Sequence, residues 1–242
     1  MKVVLATGRR YGRAVHLVEP LEVRLPLITA SGALIKHPAN HRTLFRAELT
    51  RALLCRALEV IGLCGYDALL NADTFEQGFE FYCPRTDVAQ PELAEFLLIN
   101  AGLECVDSRL MVDPPPGVFS LFSMGPRDEM LALERRLNET LPGQLDTHVL
   151  RSPLYQGFMC EVAPAGINKW FAVQHLAQAW GIRGAEICAV GDDVNDLPML
   201  RGAALGIAMG NSIDAIKAAA DRIAPTNDDD GLAEAIDWLL AP

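Results

Sequence analysis

"EICAVGDDVNDLPML", Glu186–Leu200, is the stretch on which the fold turns. Its first half is a short apolar run closing on Gly191, which reads as a buried strand. Asp192, Asp193, Asn195 and Asp196 then crowd into five positions before the chain turns apolar again. Carboxylates this close repel one another and call for solvent or a cation. Capping a helix needs one such acid at the N-cap and tolerates another in the first turn. Asp193 fits that plain role. The remaining acids, at the end of a buried strand, exceed it and suit Mg²⁺, a hard cation that keeps several waters and takes one or two protein carboxylates.

On either side of this stretch the chain alternates. "NKWFAVQHLAQAWGI" reads as a helix before it. After it come helix "VNDLPMLRGA", strand "LGIAM", helix "SIDAIKAAA", short strand "RIAP" and helix "DGLAEAIDWLL". Strand–helix alternation of this length means a parallel sheet with helices on both faces. Ligands of such sheets bind at the carboxyl ends of the strands. The N-terminal "KVVLATG" has the same look, a β-branched run ending in Gly, and is expected to be another strand buried on both faces. Helix "RRYGRAVHLVEPL" and the strand–turn–strand "LPLITASGALI" follow it.

From about His37 the texture changes. "AELTRALLCRALEVIGL" is an amphipathic helix, "DALLNAD" and "FEFYCP" read as strands, and "PELAEFLLINAGL" as a helix with Pro in its first turn. Strand "GVFSLFSM", helix "PRDEMLALERRLNETL" and the segments "THVLRS" and "GFMCEVAP" close the block. The expected organisation is an α/β, Rossmann-like parallel-sheet core made of residues 1–35 and 158–242, with an α+β cap domain, 36–157, inserted into it.

Composition bounds the function. Half of the 242 residues are hydrophobic, enough for one large domain with an insertion. The net charge of −10 and the lack of any basic run beyond "TGRR" disfavour a nucleic-acid partner. No apolar run approaches the roughly 18 residues of a membrane span. The six scattered cysteines form no C-x-x-C and no zinc spacing. They suit the reducing cytoplasm, where the protein is expected to reside.

Two further polar positions stand where chemistry is expected. Thr7-Gly8-Arg9 lies where a strand meets a helix. A hydroxyl with backbone N–H groups there suits a phosphate, and equally Thr7 could serve only as a helix cap. Lys169 opens a helix, against the local dipole. It can pair with a phosphate or carboxylate, or be an ordinary solvated lysine.

Taken together, "LATGR", "GINK", "GDDVNDLPML", "GIAMGNS" and "TNDDDGLAEAI" closely resemble the haloacid dehalogenase (HAD) superfamily, and within it the Cof-type sugar-phosphate phosphatases. The resemblance covers essentially the whole chain. It implies a Mg²⁺-dependent hydrolase of small phosphorylated metabolites such as sugar phosphates. Thr7 matches the hydroxyl that binds the transferring phosphoryl group, with Gly8 and Arg9 beside it. Lys169 matches the lysine that neutralises nucleophile and phosphate. Asp192 matches a direct Mg²⁺ ligand, Asp196 the acid that supports the metal site, and Asn195 a residue that hydrogen-bonds near the phosphate. Ser31 and Gly32 stand where relatives usually carry a substrate-contacting Asn-Gly, and Trp170 where Gly is common.

The same resemblance exposes a gap. The reaction runs through an aspartyl-phosphate whose nucleophile lies in a D-x-D-x-T motif at the end of a strand. No D-x-D-x-T occurs in this chain. By resemblance, the strand that carries it lies centrally in the sheet, so the first core strand is expected to be missing. A strand of about 5–6 residues makes about ten ladder bonds to its two neighbours. At about 1 kcal/mol each, they rival a domain's entire stability of about 5–15 kcal/mol. The expectation is therefore a record that starts late, a native protein extending upstream, and a chain inactive as it stands. Two other functions fit the same sequence. One is a non-catalytic remnant that binds phosphorylated ligands through Thr7 and Lys169. The other is an assembly protein whose open sheet edges recruit a strand from a partner or from a second copy in a homodimer.

Overall fold

The structure, a computed structural model, describes residues 1–21, 23–151 and 154–240. Ser152, at the end of "THVLRS", and the last two residues of the 158–242 segment lie outside the described residues. The chain forms two compact units, Met1–Ile167 and Asn168–Pro242.

In the first unit, α1 (Tyr11–Val18) packs Tyr11, Ala14, Val15 and Val18 onto a small antiparallel sheet of β1 (Leu27–Thr29), β2 (Leu34–Lys36) and β3 (Thr43–Arg46). The alternation of the remaining elements builds a second sheet: α2 (Arg51–Leu63), β4 (Leu69–Ala72), β5 (Phe81–Cys83), α3 (Pro91–Ile99), β6 (Glu104–Val106), β7 (Val118–Gly125), α4 (Arg127–Thr140), β8 (Leu145–Leu150) and β9 (Phe158–Pro164). Its six strands run in the order β6-β5-β4-β7-β9-β8, antiparallel except for the β5–β6 pair.

Period-two alternation divides the side chains of this sheet between two cores. Leu70 and Leu121 join Leu54, Leu58, Met130 and Leu133 from α2 and α4. Leu69 and Phe122, their neighbours in sequence, join Leu93, Phe96 and Leu97 of α3 on the opposite face. A sheet covered on both faces buries every position of its central strand, and all eight residues of β7 are buried. Its two serines are satisfied by hydrogen bonds: Ser120 Oγ accepts from Asn71 Nδ2 and Ser123 Oγ donates to Asp67 O. The strand β9 lies beyond the boundary expected at Gly157 and completes this sheet.

The second unit holds α5 (Lys169–Ala179), β10 (Cys188–Gly191), α6 (Leu197–Gly202), β11 (Leu205–Ala208), α7 (Asp214–Lys217), β12 (Arg222–Ile223) and α8 (Gly231–Leu240). Its three strands are parallel, in the order β10-β11-β12. Ala189 and Ala208 pack with Met199, Leu200 and Ile216 on one face, while Ile207, Met209 and Ala224 pack with Ala235 on the other. These are the parallel sheet and flanking helices read from the alternation.

Two strand expectations need correcting. Met1–Leu5 of "KVVLATG" is not a strand, and Val3 is 58% exposed. This segment makes one parallel bridge, Ala6 to Ile28, and a single bridge supplies too few ladder bonds to hold an extended strand. The strand from "EICAVG" does form as β10, but at the edge of its sheet, paired only with β11 among the described residues. No described helix is long and apolar enough to cross a membrane.

Candidate functional site

The candidate residues fall into two groups, one in each unit. In the first unit the backbone turns sharply after Ala6. Arg9 N–H donates to Thr7 Oγ1 at 3.1 Å, closing a hydroxyl turn. Ala30 N–H donates to Arg9 O at 2.9 Å and Ser31 N–H to Thr7 O at 3.1 Å. The structure thus brings Thr7, Gly8 and Arg9 against the turn that holds Ser31 and Gly32. Gly8 and Arg9 are exposed and Thr7 is half-buried.

That turn is strained. Ala30, Ser31 and Gly32 take φ values of 48°, 52° and 104° in succession. Left-handed backbone is costly for a residue with a Cβ, so two such residues in a row need support from their surroundings. Part of it comes from Glu161, buried on β9, whose Oε2 accepts from Ser31 Oγ at 2.9 Å. Glu161 was not among the residues singled out in the sequence. It lies within "EVAPAGINK", where only the lysine drew notice, and a buried carboxylate leaves no mark on a strand pattern.

In the second unit Lys169 is the first residue of α5, whose N-cap is Asn168: its side chain accepts from Phe171 N–H at 3.0 Å. Lys169 is buried, 5% exposed, so it is not the ordinary solvated lysine. Its ammonium donates to Asp196 Oδ1 at 2.6 Å and Asn195 Oδ1 at 3.0 Å. Asp196 Oδ2 in turn accepts the backbone N–H groups of Asp192 (3.0 Å) and Asp193 (3.1 Å). The energetic penalty of a cation in the first turn is offset by this ion pair. Asp193 accepts from Val194 N–H at 2.7 Å and serves as a cap.

Gly191 permits the tight approach: a Cβ there would lie 2.5 Å from Asp196 Cβ. Trp170 lays its indole on Gly202, where a Cβ would come within 2.3 Å of the ring. The bulk at position 170 is therefore absorbed by a glycine on α6, and the indole adds to the core around Leu200.

Asp192 differs from Asp196. It is exposed at the strand end, and the polar contact it makes is with Asn211 Nδ2, 3.4 Å from Oδ2. Partial desolvation, then the charges of Asp196 and Asp193, push its carboxyl above the usual value against the pull of Lys169. A divalent cation would reverse that balance. Asp196 already spends its oxygens on Lys169 and two N–H groups. Among the described residues no cluster of three or more His, Cys, Asp or Glu forms a cage. The donor set is thus one outward carboxylate oxygen site with an ordered acidic support, which suits a cation that keeps most of its own water. Asn211, within "GIAMGNS", is the residue here that charge and periodicity could not have selected.

A family model described as haloacid dehalogenase-like hydrolase matches residues 1–236. The chain is 25% identical to the 5-amino-6-(5-phospho-D-ribitylamino)uracil phosphatase YitU of Bacillus subtilis, over 96% of this chain and 82% of that protein. It is 26% identical to the phosphatase YwpJ of the same organism, over 99% and 88%. Among solved structures, a haloacid dehalogenase-like hydrolase from Bacteroides thetaiotaomicron superposes with a TM-score of 0.76 at 26% identity, covering 98% of this chain and 85% of that one. With a match from its first residue to Ile236, the chain belongs to the haloacid dehalogenase-like hydrolase family.

Proposed function

We propose that this chain supplies the phosphoryl-receiving and cation-holding groups of a phosphatase for small phosphorylated metabolites, sugar phosphates among them. The observation that carries the proposal is the buried Lys169–Asp196 pair at the end of β10. A buried ion pair is expensive to assemble and adds little net stability, so its position beside an outward carboxylate points to chemistry. The phosphatase names of YitU and YwpJ support the same reading.

In this proposal Thr7 Oγ1, which accepts from Arg9 N–H, donates its hydroxyl hydrogen to a phosphoryl oxygen, and the Gly8 N–H between them donates to another. The backbone of this turn is anchored by the Thr7 and Arg9 carbonyls, which accept from the N–H groups of Ser31 and Ala30. Lys169 neutralises phosphoryl charge while Asp196 and Asn195 hold its ammonium in place. Asp192 would bind Mg²⁺, with Asp196 orienting the backbone around it. When bound, the cation would add charge neutralisation at the phosphate.

The chain contains no D-x-D-x-T, so these 242 residues alone are expected to bind phosphorylated compounds without turning them over. That gap also favours a second reading, a phospho-ligand-binding protein, built from the same residues. Titration calorimetry with inorganic phosphate and Mg²⁺ tests what the two share. Wild-type protein should bind, Thr7→Val should bind at least about tenfold more weakly for loss of a hydrogen bond to a charged group, and unchanged binding in that variant would refute the assignment.

A further inference from the structure

Outside these groups, the first unit contains a cavity of about 20 Å³ that Arg10, Asn71, Glu80, Phe75, Phe79 and Phe119 help to line. It has room for one hydroxyl or water. Three buried polar atoms of its wall have no hydrogen-bond partner, Arg10 Nη1, Asn71 Oδ1 and Glu80 Oε2, and of these Glu80 Oε2 is held in an ion pair with Arg10. Asn71 is 5% exposed, and its Nδ2 is engaged with Ser120 Oγ at 3.0 Å. Arg10 is fixed from several sides. Nη2 donates to Asn100 Oδ1 at 2.7 Å, Nε faces Glu80 Oε2 at 3.1 Å, and the guanidinium lies 4.7 Å from the Phe81 ring centre. Buried polar atoms are rarely left orphaned, and once Glu80 Oε2 is counted with its ion pair, one donor and one acceptor remain on a single cavity to define what completes them.

The charges around the cavity are already paired. Glu80 faces Arg10, and Asp73 accepts from Lys36, which is 1% exposed, at 2.5 Å. An incoming ion of either sign would break one of these pairs. A neutral hydroxyl fits: its hydrogen goes to Asn71 Oδ1, and its lone pair accepts from Arg10 Nη1. Arg10 directly follows Thr7-Gly8-Arg9, so its backbone lies within about 11 Å of Thr7 by chain length alone. The base of the Arg10 side chain is therefore within the span of a short polyol whose phosphate rests at Thr7.

The geometry points to a hydroxyl-recognition site, formed by Arg10 and Asn71, that selects polyol phosphates over phosphates with an apolar or charged remainder. It rests on the proposed phosphoryl site at Thr7. Calorimetry with two five-carbon probes, ribitol 5-phosphate and pentyl phosphate, tests it on the 242-residue chain, with inorganic phosphate as the control. Wild-type protein should bind ribitol 5-phosphate at least about tenfold tighter than pentyl phosphate, as a site built to pair a hydroxyl does. Asn71→Leu should abolish that preference and leave phosphate affinity unchanged. Glu80→Gln, which loosens Arg10 without changing the size of the wall, should reduce it several-fold. If phosphate binds but wild-type protein shows no preference, or Asn71→Leu retains one, the cavity holds an internal structural water only and the inference fails. Failure to bind phosphate at all would instead sink the reading of Thr7.

Discussion

The Lys169 ammonium lies 2.6 Å from Asp196 Oδ1, with both side chains almost wholly buried. The same carboxylate receives the backbone N–H groups of Asp192 and Asp193. One acid therefore fixes both the cation and the strand-end turn. Lys169→Met leaves Asp196 charged and unpaired, and is expected to cost about 3–5 kcal/mol, the usual effect of removing one partner of a buried pair. Urea denaturation of the variant measures it. A loss below about 1 kcal/mol would mean that solvent reaches Asp196.

Gly191→Ala tests the turn from its other side. The added Cβ would meet Asp196 Cβ at 2.5 Å, so the carboxylate must move off the two N–H groups it accepts. The expected loss is about 1–3 kcal/mol of stability, together with weaker Mg²⁺ binding by calorimetry. Wild-type affinity for the cation in a destabilised protein would separate the turn from the metal site.

Asp192→Ala makes the converse prediction. This side chain is exposed, so thermal stability should hold within about 0.5 kcal/mol, while Mg²⁺ binding disappears. Retained binding would place the cation elsewhere.

Thiol chemistry probes the first unit. Burial pushes the Cys83 thiol up to about 11 and the Cys160 thiol up to about 12, whereas Cys64 is exposed. Iodoacetamide at pH 8 should modify Cys64 in the folded chain, and Cys83 and Cys160 only after unfolding. Folding holds these two thiols protonated, so their contribution to stability is intact below the ordinary thiol value of about 8.5 and is lost as pH rises from there toward 11 to 12. Denaturation midpoints should therefore fall above about pH 9, and less so in a Cys160→Ala variant.

Much of this molecule was legible before its structure. The alternation around "EICAVGDDVNDLPML" gave the parallel sheet of the second unit, and Asp193 was read as the cap that it is. The signal failed where a pairing partner decides the outcome. "KVVLA" has the composition of a buried strand, but composition cannot say whether another strand lies alongside it, and the segment forms a single isolated bridge, Ala6 to Ile28. The strand β3 and the three-residue β6 were missed for a related reason: they are held by the neighbours β2 and β5, and no period of their own announces them. Glu161, Asn211 and the Arg10–Asn100 pair escaped because their partners are distant in sequence.

The most direct experiment follows the nitrophenolate absorbance while p-nitrophenyl phosphate is titrated into the pure 242-residue chain with Mg²⁺ in a calorimeter. A receiving site for phosphate that lacks an attacking aspartate should give saturable heat of binding and no coloured product. Steady release of nitrophenolate, or no binding heat at all, would contradict it.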